Sequence, residues 1–276
     1  MHELVSYNRE IIRSEDASMS PVAVSGLYGK GVFTTLTVLD GKPFLFEKHW
    51  RRLNNNATRL GIDLDDFSES ELTLALSELL AANSVTRGRC RITVFDSSSS
   101  GIWLALTDRK SSVLIQSADL REKPERICLN ISPFVVSSTS PLNNIKSCNY
   151  LEQTVSFDAA CKAGFDEAVR INERGHIVSG CISNIFWTKD DRIFTPAVEM
   201  GCLEGTTREC LLESCEVSMV AAPISELRVA DSVFLTSAGI GIAAASSLFI
   251  DEKELELKPL GDELREIQRL RKLLSV

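Results

Sequence analysis

The densest glycine motif in the chain, Gly26-Leu-Tyr-Gly29-Lys-Gly31, runs directly into a strand. Residues 31–39 read Gly-Val-Phe-Thr-Thr-Leu-Thr-Val-Leu, an alternating run rich in β-branched residues. A dinucleotide fingerprint needs the opposite order, with the glycines after a strand and opening a helix. A Rossmann fold is therefore not indicated. Asp40-Gly41 follows as a tight hairpin turn, predicting a return strand through Phe44-Leu45-Phe46.

Two helices come next. Trp50, Leu53, Ala57 and Leu60 form one apolar stripe that stops at Gly61. Ser68 and Glu71 have the spacing of a capping box, and Leu72, Leu76, Leu79 and Leu80 form the buried face behind it. Strands are expected at 89–95, 102–106 and 113–116, with a serine loop at 97–101. The polar stretch 117–126 contains Pro124 and reads as a linker. Beyond it we expect a strand at 127–132, a helix at 149–163 ending at Gly164, and short strands at 167–172, 176–178, 183–188 and 192–194. A helix begins near Thr206, and an amphipathic one covers 262–274. Strands and helices mix without strict alternation, which predicts an α+β (mixed α/β) fold in two domains, 1–118 and 119–276.

Several function classes are disfavoured. Acidic residues outnumber basic ones 38 to 30, a formal charge of −8, against the basic face a nucleic-acid binder needs. No apolar run reaches the roughly 18 residues of a spanning helix, and the N-terminus lacks a signal-peptide core. The eight cysteines form no Cys-x-x-Cys pair, so reduced thiols, a cytoplasmic setting and no metal site are expected.

Three segments could carry chemistry. In Leu142-Asn-Asn-Ile-Lys146-Ser-Cys-Asn-Tyr150, a lone lysine follows an apolar residue and precedes a helix start. Desolvated, such an amine becomes nucleophilic. Spacing alone equally describes a solvated surface lysine, the commoner case. Gly201-Cys-Leu-Glu-Gly205-Thr206-Thr207-Arg208 brings two hydroxyls and N–H groups to a helix start, where a phosphate binds well. An unliganded threonine cap has the same pattern. Ser179-Gly180-Cys-Ile-Ser183-Asn184-Ile-Phe186-Trp187 runs small polar residues into an aromatic strand, which a bulged core strand also does. Arg52, one residue off the apolar stripe, reads alone as a solvated charge.

Taken in order, the segments resemble the class IV aminotransferase family of fold type IV pyridoxal-phosphate (PLP) enzymes. That family includes branched-chain and D-amino-acid aminotransferases and aminodeoxychorismate lyases. Tyr28-Gly29-Lys30-Gly31-Val32-Phe33 is similar to its opening motif, and His49-Trp-Arg-Arg52-Leu53 to its H-x-x-R-L helix. Asn144-Ile145-Lys146-Ser147 is similar to the segment of the Schiff-base lysine. Ser183-Asn184-Ile185-Phe186, Gly205-Thr206-Thr207-Arg208 and Leu235-Thr236-Ser237-Ala238-Gly239 are similar to further signatures.

The resemblance implies a smaller N-terminal domain, a larger C-terminal domain carrying the lysine, PLP in the interdomain cleft, and a homodimer. It implies Lys146 as the catalytic residue, joined to PLP and moving the substrate's proton. Arg52, Gly205, Thr206, Thr207, Ser237 and Ala238 would bind the phosphate; Tyr150, Ser179, Ser183 and Asn184 would contact the cofactor. Phe33 and Thr35 are substrate candidates, and the loops at 26–30, 97–103 and 239–243 are candidate pocket walls. The substrate would be a small-molecule amine.

Two departures bear on the reaction. The family usually places a glutamate where Ser179 stands, and a carboxylate there keeps the pyridine nitrogen protonated. A serine hydroxyl cannot do this, so the electron sink weakens and transamination becomes harder. Many transaminases of the family have glutamate at Thr34, whereas Phe33-Thr34-Thr35 and Leu151-Glu152-Gln153 look more like the lyases. The leading expectation is aminodeoxychorismate lyase activity. An aminotransferase for branched-chain, aromatic or D-amino acids is the alternative, and a catalytically impaired PLP-binding protein a third reading.

Overall fold

The computed structural model describes residues 1–99, 110–120, 127–260 and 269. The expected strand at 102–106, most of the linker at 117–126 and the terminal helix at 262–274 lie outside them, in whole or in large part. The chain forms two compact units: residues 1–121 with 145–150, and residues 122–144 with 151–276.

The first unit opens with a hairpin of β1 (Leu4–Tyr7) and β2 (Glu10–Arg13), then a short helix α1 (Val24–Tyr28) closed by Gly29 at φ 65°. β3 (Gly31–Leu39) and the two-residue β4 (Lys42–Pro43) form the Asp40-Gly41 hairpin. The return strand is shorter than expected, because Leu45 takes a left-handed conformation (φ 54°) and α2 (Phe46–Arg59) starts immediately after it. α3 (Glu69–Ala82) carries the reciprocal Ser68/Glu71 capping box, followed by β5 (Gly88–Asp96) and β6 (Ser111–Ala118). The sheet order is β2-β1-β6-β5-β3-β4, and every described pairing in it is antiparallel. Leu53 and Ala57 of α2 and Leu72, Leu76 and Leu79 of α3 pack on Val32, Leu36, Ile92, Val94, Val113 and Ile115.

Residues 145–150 belong to this unit, whereas the sequence reading places Lys146 in the second domain. The physical reason is strand pairing. Phe33 N donates to Lys146 O (2.9 Å), Cys148 N donates to Gly31 O (2.8 Å), and Val32 bridges Ser147. A side chain on Gly31 would put its Cβ 2.9 Å from Cys148 Sγ and 3.1 Å from Val94 O, so a glycine permits the approach.

The second unit comprises β7 (Ile127–Ile131), α4 (Leu151–Lys162), β8 (Glu167–Ile171), β9 (Ile177–Gly180), β10 (Asn184–Lys189), β11 (Arg192–Pro196), α5 (Thr206–Ser214), β12 (Val217–Val220), β13 (Ser232–Ser237), β14 (Gly241–Ile250) and β15 (Lys253–Glu256). Its sheet runs β12-β11-β10-β13-β14-β7-β8-β9, with β15 on β14. The β11–β12, β14–β7 and β7–β8 pairs are parallel and the rest antiparallel, the mixed pattern of an α+β fold. Its main core joins Leu129, Val169, Ile177, Ile185, Trp187, Val233, Leu235 and Leu248.

Candidate active site

β3 alternates its side chains between two faces. Val32 and Leu36 enter the core, and Thr34 on their face meets α2. Its Oγ1 lies 2.6 Å from His49 Nδ1 and accepts from Arg52 Nη2 at 3.0 Å. Burial first, then the Arg52 and Lys146 charges, hold His49 well below the usual imidazole value. The ring is therefore neutral. The Thr34 hydroxyl thus accepts from Arg52 and shares one proton with His49 Nδ1. A buried histidine thus sets the hydroxyl that holds Arg52.

Phe33 and Thr35 leave the other face of β3. The Phe33 ring meets Tyr150 edge-on, with centroids 5.2 Å apart and planes at 85°. Lys146 Nζ lies 4.6 Å from the Phe33 centroid and 5.0 Å from that of Tyr150. Arg91, opposite Thr35 in the β3–β5 register, sets its guanidinium carbon 3.7 Å from the Phe33 centroid. Burial of the amine is the largest cause lowering the Lys146 pKa to about 7, and Arg52 and Arg91 add to it. An ordinary lysine is almost wholly protonated at neutral pH; burial shifts this amine toward its free base. Of the predicted residues, Phe33, Thr35, Arg52, Lys146 and Tyr150 all lie in this unit. Its Arg91 was not foreseen: an arginine in a strand between apolar neighbours gives no motif. Lys30 pairs with Asp96 at 2.8 Å, a structural role.

In the second unit, Gly205 is the N-cap residue of α5 and has no side chain of its own to cap the helix. Asn184 Nδ2 donates to Leu203 O at 2.7 Å, and a Cβ on Gly205 would stand 2.1 Å from Asn184 Oδ1. The glycine lets the loop close on Asn184. Thr206 and Thr207 are buried in the first turn. Asn184 pairs across the sheet with Thr236, whose buried Oγ1 has no hydrogen-bond partner, and Ser237 and Ala238 follow at the end of that strand. Ser237 Oγ accepts from Ile240 N at 3.3 Å. Ser183 Oγ donates to Glu167 (2.8 Å), and Ser179 Oγ donates to Gly180 O (2.6 Å). Arg208 is buried and donates to Pro196 O, holding the loop. Among the described residues, no group of three or more His, Cys, Asp or Glu could hold a metal ion, and no helix is long and apolar enough to cross a membrane.

A near-neutral lysine amine flanked by cations and aromatic rings is the equipment of an enzyme that condenses with a carbonyl. Residues 31–248 match the amino-transferase class IV family. The chain belongs to that family, whose members are PLP-dependent enzymes. It is 30% identical to the aminodeoxychorismate lyase of Bacillus subtilis over 255 residues, covering 87% of this chain and 84% of the relative. It is 27% identical over 275 residues to a putative branched-chain-amino-acid aminotransferase of Methanocaldococcus jannaschii, covering 95% and 92%. A branched-chain aminotransferase structure from Thermoproteus uzoniensis superposes with a TM-score of 0.89 at 24% identity, covering 99% of this chain and 95% of that one.

Proposed function

We propose that this chain binds PLP on Lys146 and converts 4-amino-4-deoxychorismate to 4-aminobenzoate and pyruvate. The residues fit the cofactor. The depressed Lys146 pKa suits an amine that must attack an aldehyde. The glycine-led start of α5, the buried Thr206 and Thr207 and the orphaned Thr236 Oγ1 suit a phosphate. Arg52, held by Thr34, would clamp that phosphate, with Gly205, Ser237 and Ala238 completing the contacts. Tyr150 would steer the ring, and Ser179, Ser183 and Asn184 would lie beside it. When bound, PLP supplies an electron sink for the carbon that bears the substrate's amine.

The observation that carries the lyase reading is Arg91, stacked on Phe33 and paired with Thr35 in the unit that holds Lys146. The substrate carries two carboxylates, and Arg91 would receive one of them while Thr35 donates to it. Lys146 would remove the proton from the amine-bearing carbon. The C–O bond to the enolpyruvyl group then breaks, and a proton delivered to that group releases pyruvate. Aromatisation of the remaining ring drives the step, so a strong sink is not required. The similarity to the B. subtilis lyase supports this reading.

An aminotransferase is the second reading, favoured by the similarity to the M. jannaschii relative. Borohydride reduction with PLP, followed by peptide mass spectrometry, tests the cofactor: the adduct is expected on Lys146. Incubation with aminodeoxychorismate should then give 4-aminobenzoate. A loaded enzyme that makes none, yet whose cofactor absorbance is converted by an amino acid, would establish the aminotransferase instead. We further propose a homodimer, which sedimentation of the loaded protein will check.

A further inference from the structure

The serine at position 179 has an unusual cross-strand neighbour. Antiparallel β8 and β9 pair Val169 with Gly180 and Arg170 with Ser179, so the Arg170 and Ser179 side chains leave the same face of the sheet. It is the face of Ala168 and Cys181, which pack with Ala160 of α4, while Val169 and Ile177 point into the main core. Arg170 is only 4% exposed, rare for an arginine. Its Nη2 is bonded to Glu152 in the first turn of α4, and its Nε is buried without a hydrogen-bond partner. Glu152 is therefore committed to Arg170. Glu167 is committed elsewhere: it accepts from Ile182 N (2.9 Å) and Ser183 Oγ (2.8 Å), and it crowds the Cβ position of Gly180, the partner of Val169. Burial pushes the Cys181 thiol up to about 11, so it stays neutral. The face that Ser179 occupies thus offers the unpartnered Nε–H of an Arg170 paired through Nη2 with Glu152, and a hydroxyl that donates to Gly180 O (2.6 Å) and must turn to meet a ligand; neither glutamate is left to serve it.

We infer that Arg170 and Ser179 form the ring-nitrogen subsite of this chain and keep the pyridine nitrogen of the bound cofactor unprotonated. The inference rests on the PLP reading above. A neighbouring cation disfavours the pyridinium, and a hydroxyl and an N–H are both donors, which an unprotonated nitrogen accepts. The charge at this point is opposite to the carboxylate usual in the family. The cofactor then withdraws electrons less strongly, which suits a substrate whose reaction is driven by its own aromatisation.

The test loads the protein with PLP carrying 15N in the ring and reads the nitrogen's chemical shift. The wild type should give the unprotonated shift at neutral pH. The double variant Arg170→Leu/Ser179→Glu should give the protonated one, with a visible band shift to match. Ser179→Glu alone should move little, because the new carboxylate would pair with Arg170. A protonated nitrogen in the wild type overturns the inference, whatever the variants do, and leaves the cofactor reading intact. No borohydride-trapped adduct on Lys146 overturns the cofactor reading, and this inference with it.

Discussion

An amine that condenses with a carbonyl must be unprotonated, and Lys146 meets that condition mainly by desolvation, with Arg52 and Arg91 assisting. The rate of borohydride-trappable PLP addition should therefore rise with pH through a midpoint near 7. Arg91→Gln should move that midpoint upward, but well short of 10.5, because desolvation remains. A midpoint unmoved by Arg91→Gln would mean that its charge does not reach the amine. The same shift costs stability in the cofactor-free protein. Between pH 7 and 10.5 the unfolded chain binds the proton that the folded chain has released, so stability rises with pH across this window. The cost is full below pH 7. Lys146→Met should then stabilise the cofactor-free protein at pH 7 by a few kcal/mol at most, at about 1.4 kcal/mol per pKa unit, with the gain vanishing above pH 10.5. Denaturant melts at both pH values check the sign. Thr34 acts through other groups. Thr34→Val deletes one bond to His49 and one to Arg52. It should cost roughly 1–3 kcal/mol of stability and weaken PLP binding, whereas Thr34→Ser should restore both.

Elements with a local signal were legible. The capping box at Ser68 and Glu71, the apolar stripe of α2 and the alternation of β3 each depend on neighbours a few residues away. β14, with its Gly-Ile-Ala-Ala-Ala-Ser-Ser run, has no strand signal of its own and is a strand because β13 and β7 flank it. The β1–β2 hairpin turns through Asn8 and Arg9, both at positive φ, a pair without the glycine that marks the Asp40 turn. Of the residues proposed for the site, Lys146 and Arg52 stand in recognisable motifs. Arg91 and Arg170 do not, because only strand register brings them to Phe33 and Ser179. The loop before α5 was legible as glycine and threonines, and its mechanical reason lies in Asn184. Gly205→Ala would push a Cβ to 2.1 Å from Asn184 Oδ1. The loop must open to relieve this, so PLP affinity should fall by about tenfold or more, equivalent to about 1.4 kcal/mol. A fluorescence titration of the variant with PLP measures it. Unchanged affinity would mean that the start of α5 does not hold the phosphate.

Across the whole chain, the two units have separate cores, one around Leu76 and Leu79 and one around Leu129, Trp187 and Leu235. Lys146 belongs to the first by backbone hydrogen bonding, although chain from the second flanks it on both sides. Local stability at Lys146 should therefore follow the first core. Leu76 is fully buried, and Leu76→Ala should cost roughly 2–5 kcal/mol. Hydrogen exchange on the variant should lose protection in β3, β5 and β6. The Cys148 amide, which donates to Gly31 O, should lose it to the same extent. Amides that pair β10 with β13 should keep their wild-type protection. If Cys148 instead exchanges like the β10–β13 amides, the lysine segment unfolds with the second unit. If every amide loosens equally, the two cores open as one cooperative body.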